Sequence, residues 1–128
     1  MRVDTLLSDG VPIVSCLEIT ETPWERMRGL LGRRSLPRGH GMWIWPCGSV
    51  HTFFMRFRLD LVFMNREGVV VRLVRNVVPF RAVFGGMSCR GVLEVEAGWL
   101  TGAAVAEGRR LRFGSEGAPG GGKRPPTH

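Results

Sequence analysis

Between residues 11 and 19, Val11, Ile13, Ser15, Leu17 and Ile19 alternate with Pro12, Val14, Cys16, Glu18 and Thr20. A repeat of two sends successive side chains to opposite faces of an extended chain, so this segment predicts a strand. The pattern then changes. Thr22-Pro23-Trp24-Glu25 is a helix-start signal: Thr22 caps, Pro23 suits the first helical position, and Glu25 reaches back to the N–H of the cap. Trp24, Met27, Leu30 and Leu31 then share one helical face while Arg26, Arg28 and Arg33 point elsewhere, which predicts one early amphipathic helix ending near Arg34. Pro37, Gly39 and Gly41 mark a loop.

From Met42 onward the pattern is strand-rich. Phe57, Leu59, Leu61 and Phe63 alternate with Arg58, Asp60, Val62 and Met64, residues 65–68 supply a turn, and 69–74 return as the partner strand of a hairpin. Residues 92–96 predict another strand with Glu94 and Glu96 on one face. Residues 99–106 predict a helical turn, and 111–113 a closing strand. Many short strands with one early helix predict a β-rich α+β fold, a small antiparallel sandwich or partly closed barrel.

Composition narrows the picture. The chain has 128 residues, 44% hydrophobic and 23% charged, the profile of one ordinary globular domain. Half of the residues in 115–128 are Gly or Pro, so a single domain is expected over 1–114 with a flexible tail over 115–128. The net charge is +7, with one Lys and every other basic residue an Arg. No apolar run reaches the ~18 residues of a membrane span. No signal peptide is evident, and three Cys make an odd number, so a cytoplasmic protein with reduced thiols is expected.

Several motifs fall in a fixed order: Arg28-Gly29-Leu30-Leu31-Gly32-Arg33 with Leu36-Pro37, Cys47-x-Ser49-Val50-His51-Thr52-x-x-Met55, Leu59-Asp60-x-Val62-Phe63, Gly68-Val69-Val70, Pro79, Val92-Leu93-Glu94 and Gly98. Together they resemble the family called domain of unknown function 192, small conserved proteins of bacteria and archaea, over about residues 11–114. The resemblance implies a compact, largely β domain with short helices, and implies no activity, substrate or cofactor. Some members carry an export leader, which this chain is expected to lack. Two departures stand out: Arg58 replaces the family's Pro before the hydrophobic-Asp pair, and Gly108-Arg109 replaces a Gly-Asp, removing a carboxylate.

The chemistry-bearing candidates cluster around His51, which can exchange a proton near neutral pH or meet an anionic ligand. Thr52 offers a hydroxyl beside it, and Asp60 on the next segment could orient the imidazole. Alternatively, His51 satisfies buried backbone groups between strands. Cys47, four residues before His51, is a nucleophile with His51 as base or a small buried apolar residue. Cys16 and Cys89 are isolated, so the ligand count for a metal is too low and neither metal nor cofactor is assigned. Asp60 and Glu94 sit among apolar residues and either share a polar pocket with Arg56, Arg58 or Arg90 or form ion pairs with them. Glu94, inside Val-Leu-Glu-Val, is expected to have a dedicated partner, because an unpaired buried carboxylate is costly.

Phosphate loops, dinucleotide fingerprints and nucleophile elbows are absent from the sequence. Three readings remain. The first is a binding or accessory module whose polar cleft gathers His51, Thr52, Asp60 and Glu94, with Arg56 and Cys47 at hand, for a small polar or anionic ligand. The second is a Cys/His enzyme in acid–base or nucleophilic work. The third is an Arg-rich nucleic-acid binder, using Arg26, Arg28, Arg33, Arg34 and Arg38 with Arg109, Arg110 and Arg112 against phosphates and Trp24, Trp43, Trp45 and Phe53 against bases. The oligomeric state is not read from the sequence.

Overall fold

The computed structural model describes residues 2–100 and 105–117. Its elements are β1 (Arg2–Ser8), β2 (Val11–Ile19), α1 (Pro23–Arg28), β3 (His40–Ile44), β4 (Ser49–His51), β5 (Leu59–Met64), β6 (Val70–Val77), β7 (Ala82–Phe84), β8 (Gly91–Glu96) and β9 (Leu111–Phe113). A 3-10 turn over Gly114–Gly117 follows. Seven strands form one sheet in the order β6-β5-β8-β3-β2-β1-β9, while β4 and β7 make a separate two-stranded ribbon. The large sheet curls into a half-barrel. Its two edges meet at one corner, where Val69 bridges Arg110 and Leu111 N–H donates to the carbonyl of Gly68 at 2.9 Å.

Local chemistry accounts for the two hairpins. Asp9-Gly10 joins β1 to β2 with both residues at positive φ, 50° and 77°, the geometry of a two-residue turn that matches strand twist. At the β5–β6 turn, Asn65 Oδ1 accepts from the N–H of Glu67 (2.9 Å) and Val69 (3.0 Å), a side chain imitating a backbone turn. In β2 the predicted alternation breaks, since Val14 and Leu17 are both buried and Ser15 is exposed. The register with β1 shifts there, Asp4 facing Leu17 and Leu6 facing Val14. An extra residue in one strand changes which face later side chains occupy.

The fold differs from the expectation in three respects. The sheet is mixed: β2 and β3 run parallel, Cys16 opposite His40, because the crossover through α1 returns the chain in the same direction. The helix ends at Arg28, with Gly29 at φ 51° and its N–H bonded to the Glu25 carbonyl at 2.9 Å. It has no buried residue; Trp24 and Met27 stay in solvent while Leu30 drops into the core. Its start follows the expectation: Thr22 Oγ1 accepts from Glu25 N–H at 3.1 Å, and the Glu25 carboxylate accepts from Glu21 N–H at 2.8 Å with a further backbone interaction at Thr22. Lastly, no specific pattern predicts β1, β4 or β7, and β3 begins at His40, inside the predicted loop. The closing strand β9 and the hairpin stand where the pattern placed them. Residues 101–104 of the predicted helical turn and 118–128 of the predicted tail lie outside the described residues; residues 115–117, also expected in that tail, belong to the 3-10 turn, where Ser115 Oγ donates to Asp4 Oδ2 at 2.7 Å.

Every residue of β5 is buried, so β5 does not follow the half-exposed pattern its alternation predicts. One face of the sheet packs Leu17, Trp43, Val62, Leu93, Val95 and Phe113 inside the curl, where Trp43 stacks on Trp45 (5.6 Å) and meets Phe113 edge-on (5.5 Å). The other face packs Met42, Ile44, Leu61, Phe63 and Val92 beneath Leu30, Leu36, Val50 and Met55. The second layer is thus roofed by the segment after α1 and by the β4–β7 ribbon, and the candidate site lies under that roof.

Candidate functional site

Strand parity decides which polar residues meet. In the β5–β8 pair, Asp60 stands opposite Val95 and Leu61 opposite Glu94. Residues opposite one another share a face and neighbours in sequence do not, so Asp60 and Glu94 project to opposite sides of the sheet. The single cleft expected to hold both does not exist.

Asp60 is a structural acid. Its Oδ1 accepts from Asn76 N–H at 2.8 Å and its Oδ2 from Gly98 N–H at 3.1 Å, with Arg75 Nη1 at 3.6 Å from Oδ2. Its cation is therefore Arg75, not Arg56, Arg58 or Arg90, and it does not orient His51. Thr52 is also structural and fully buried. Its hydroxyl donates to the Val78 carbonyl at 2.8 Å and accepts from Arg81 N–H at 2.9 Å, and its own N–H and carbonyl bond Arg81 and Phe80. It pins the chain leaving β4 to the chain entering β7. Arg56 is exposed and lines no part of the cavity described next.

Glu94, Cys47 and His51 do come together. They border a cavity of about 80 Å³ walled by Ile44, Val50, Met55 and the Arg26–Leu31 segment. Glu94 forms the floor, only 5% exposed. Gly29 lies over it: a Cβ built on that residue would sit 3.5 Å from Glu94 Oε1. At φ 51° a side chain would be strained there, and the bare glycine lets the turn close down over the acid. Among the described residues the Glu94 carboxylate has no hydrogen bond and no ion pair, contrary to the expectation of a dedicated partner. Burial pushes its pKa up from 4.5 to about 7, since desolvation disfavours the charged form.

Cys47 behaves the same way. Burial pushes its thiol up to about 11, the hydrogen bond to the Ser49 carbonyl (3.0 Å) opposes this, and the charge of Glu94 adds to it. A nucleophilic cysteine needs the opposite shift, so the paired Cys47–His51 nucleophile loses its thiolate. His51 itself is exposed, its ring 5.4 Å from that of Phe53; it does not satisfy buried backbone. No group of three or more His, Cys, Asp or Glu among the described residues is placed to hold a metal ion. For the nucleic-acid reading, Trp43 and Trp45 are core residues with no face open to a base, whereas Trp24 and Phe53 are exposed.

The sequence reading missed Gly29 as a site residue and assigned Arg26 and Arg28 only to a nucleic-acid face, because it placed all three within a longer helix. The signal was present in Arg28-Gly29-Leu30-Leu31-Gly32: two glycines four positions or fewer apart in a short helix favour a turn. Cys47, Val50, His51 and Met55, from a second motif, form the facing wall.

A family model described as DUF192, an uncharacterized ACR, matches residues 5–113. No protein with a curated description matches the chain. Two solved structures are similar with a TM-score of 0.73 each. A protein of Sinorhizobium meliloti 1021, described as a candidate transcription regulator, is 22% identical over 87% of this chain and 92% of its own. A protein of unknown function from Novosphingobium aromaticivorans DSM 12444 is 21% identical over 86% of this chain and 83% of its own. At such identities the likeness is one of fold.

Proposed function

This chain belongs to the DUF192 family of uncharacterized proteins, and we propose that it is a binding module whose ligand enters the cavity above Glu94. We take residues 1–114 as one folded unit and the three free thiols as suited to a reducing compartment such as the cytoplasm. The observation that carries the binding reading is the uncompensated carboxylate. A buried acid with no partner is costly, and a ligand that donates to it recovers that cost. Arg26 and Arg28 border the same cavity and suit an anionic group at the mouth. The ligand class that fits both ends is a small zwitterion, ammonium inward and anion outward.

Thermal-shift titration at pH 8 with glycine, β-alanine, methylammonium and acetate tests this. Glycine or β-alanine should raise the melting temperature of the native protein, acetate alone should raise it less, and Glu94→Gln should abolish the response. An equal response from Glu94→Gln, or none to any amine, would overturn the reading.

A further inference from the structure

The outer surface of the β4–β7 ribbon carries a second feature, which adjoins the cavity through the His51–Phe53 ring contact. Phe53 and Phe54 leave β4, Phe80 enters β7, and the three rings cluster: Phe53 to Phe80 at 6.2 Å and Phe54 to Phe80 at 5.7 Å. All three are exposed, as are Phe84 on β7 and Met87 just beyond it, the last at 99%. Phe54 and Phe80 both have φ of 64°, a left-handed conformation that bulky side chains rarely adopt and that is strained unless the surroundings enforce it. The Thr52 hydrogen bonds to Val78 and Arg81 supply that enforcement. Backbone strain is therefore spent on holding apolar rings in water.

Three of the five apolar projections have a cation at their base. Arg81 donates to the Phe80 carbonyl at 3.2 Å, Arg90 to the Met87 carbonyl at 3.2 Å, and Arg72 to the Phe84 carbonyl. None of these guanidiniums is ion-paired among the described residues. The sequence contains no Asp or Glu between Glu25 and Asp60, nor between Glu67 and Glu94, so both chain segments that build the ribbon are free of acid.

From this we infer that the outer face of the ribbon is a peripheral docking surface for an anionic lipid bilayer, its phenylalanine tips entering the headgroup boundary and its arginines meeting phosphates. Apolar tips above a basic collar are the chemistry of interfacial binding. No helix among the described residues is long and apolar enough to cross a membrane, so the contact is peripheral. The alternatives fit less well. A second copy docking face to face would oppose Arg81 and Arg90 with like charges. Residues 118–128 offer no side chain more apolar than Ala or Pro to cover the rings. Single-stranded nucleic acid stacks on open ring faces, whereas Phe80 contacts both Phe53 and Phe54 and Met87 has no ring.

Co-sedimentation with vesicles of phosphatidylcholine, alone and mixed with phosphatidylglycerol, tests the inference. The native protein should pellet with the mixed vesicles, less so as salt is raised, and hardly with phosphatidylcholine alone. In the double variant Phe54→Asn, Phe80→Asn the new residues tolerate the left-handed backbone. It should melt no lower than the native protein, yet lose about tenfold or more of its vesicle partitioning. Arg81→Gln with Arg90→Gln should remove the preference for anionic vesicles. Three results would overturn the inference: no binding to anionic vesicles at low salt, undiminished binding by the Phe double variant, or a self-association or oligonucleotide affinity that the Phe variant abolishes while vesicles do not bind. Glu94→Gln should leave vesicle binding intact, which separates this surface from the cavity.

Discussion

Replacing Glu94 by Gln should stabilise the protein at alkaline pH and leave it nearly unchanged in mild acid. Glu94 is fully buried and its pKa is raised from 4.5 to about 7 by desolvation. Between those two values the folded state holds a proton that the unfolded state has released. Stability then falls as pH rises, because unfolding sheds the proton. The contribution is absent below about pH 4.5, grows through the interval, and is complete above about pH 7, where the native state must carry a buried, unpaired charge. A difference of that size corresponds to about 3 kcal/mol. Gln fills nearly the same volume without a charge, so the variant should lack this slope. Urea titrations at several pH values between 5 and 8 read it directly. For a chain of this size a change of about 3 kcal/mol moves the midpoint by roughly 1–3 M. The native midpoint should fall between pH 5 and pH 8, and that of Glu94→Gln should stay level and lie higher at pH 8. If the native protein instead gains stability over this range relative to Glu94→Gln, or if the variant is the weaker at pH 8, the carboxylate has a partner and the argument for ligand binding at Glu94 fails. Linkage adds a corollary: an amine that binds the carboxylate should bind more tightly as pH rises through 7, with proton release below it.

Other consequences follow from the remaining polar and tight-packed positions. Asp60→Ala removes the acceptor for two backbone N–H groups, Asn76 and Gly98, and should cost about 3 kcal/mol in urea unfolding, without altering the response to glycine. Gly91→Ala would place a Cβ 2.5 Å from Trp45 Cε3 and 2.8 Å from two atoms of Trp43; overpacking of that kind costs about 1–3 kcal/mol, seen as a lower melting temperature with reduced Trp burial by fluorescence. Native-state alkylation of Cys47 by iodoacetamide should be slow at neutral pH and accelerate up to about pH 11, where its thiol ionises; fast alkylation at pH 7 would restore the nucleophile reading.

Much of the site was present in the sequence as residue types, yet its grouping was not. The helix start at Thr22-Pro23, the β5–β6 hairpin around Asn65, and the burial of Glu94 within an apolar run are local matters, set by capping, turn chemistry and alternation, and they stand in the structure as read. The length of α1 was misjudged because apolar spacing alone favours continuation, whereas Gly29 adopts positive φ and turns the chain. Strand β1 was overlooked although Ser8-Asp9-Gly10-Val11 carries a hairpin signal. Strand β7 is three residues long and apolar throughout, Ala82-Val83-Phe84, so it shows no alternation.

The amino-acid sequence by itself determined the strand-rich character of the chain, the turns, and which acids are buried. Tertiary structure decided what each acid does. Period-two alternation tells which residues share a face within one strand, but pairing register fixes how the faces of different strands correspond, and register is a long-range property. Asp60 opposite Val95, and Glu94 opposite Leu61, send one carboxylate to a cradle of backbone N–H groups and the other to the floor of a cavity. The same holds for Thr52 and the rings beside it: only the meeting of β4 with β7, some thirty residues apart in sequence, turns a buried hydroxyl into the clamp that keeps Phe54 and Phe80 facing water.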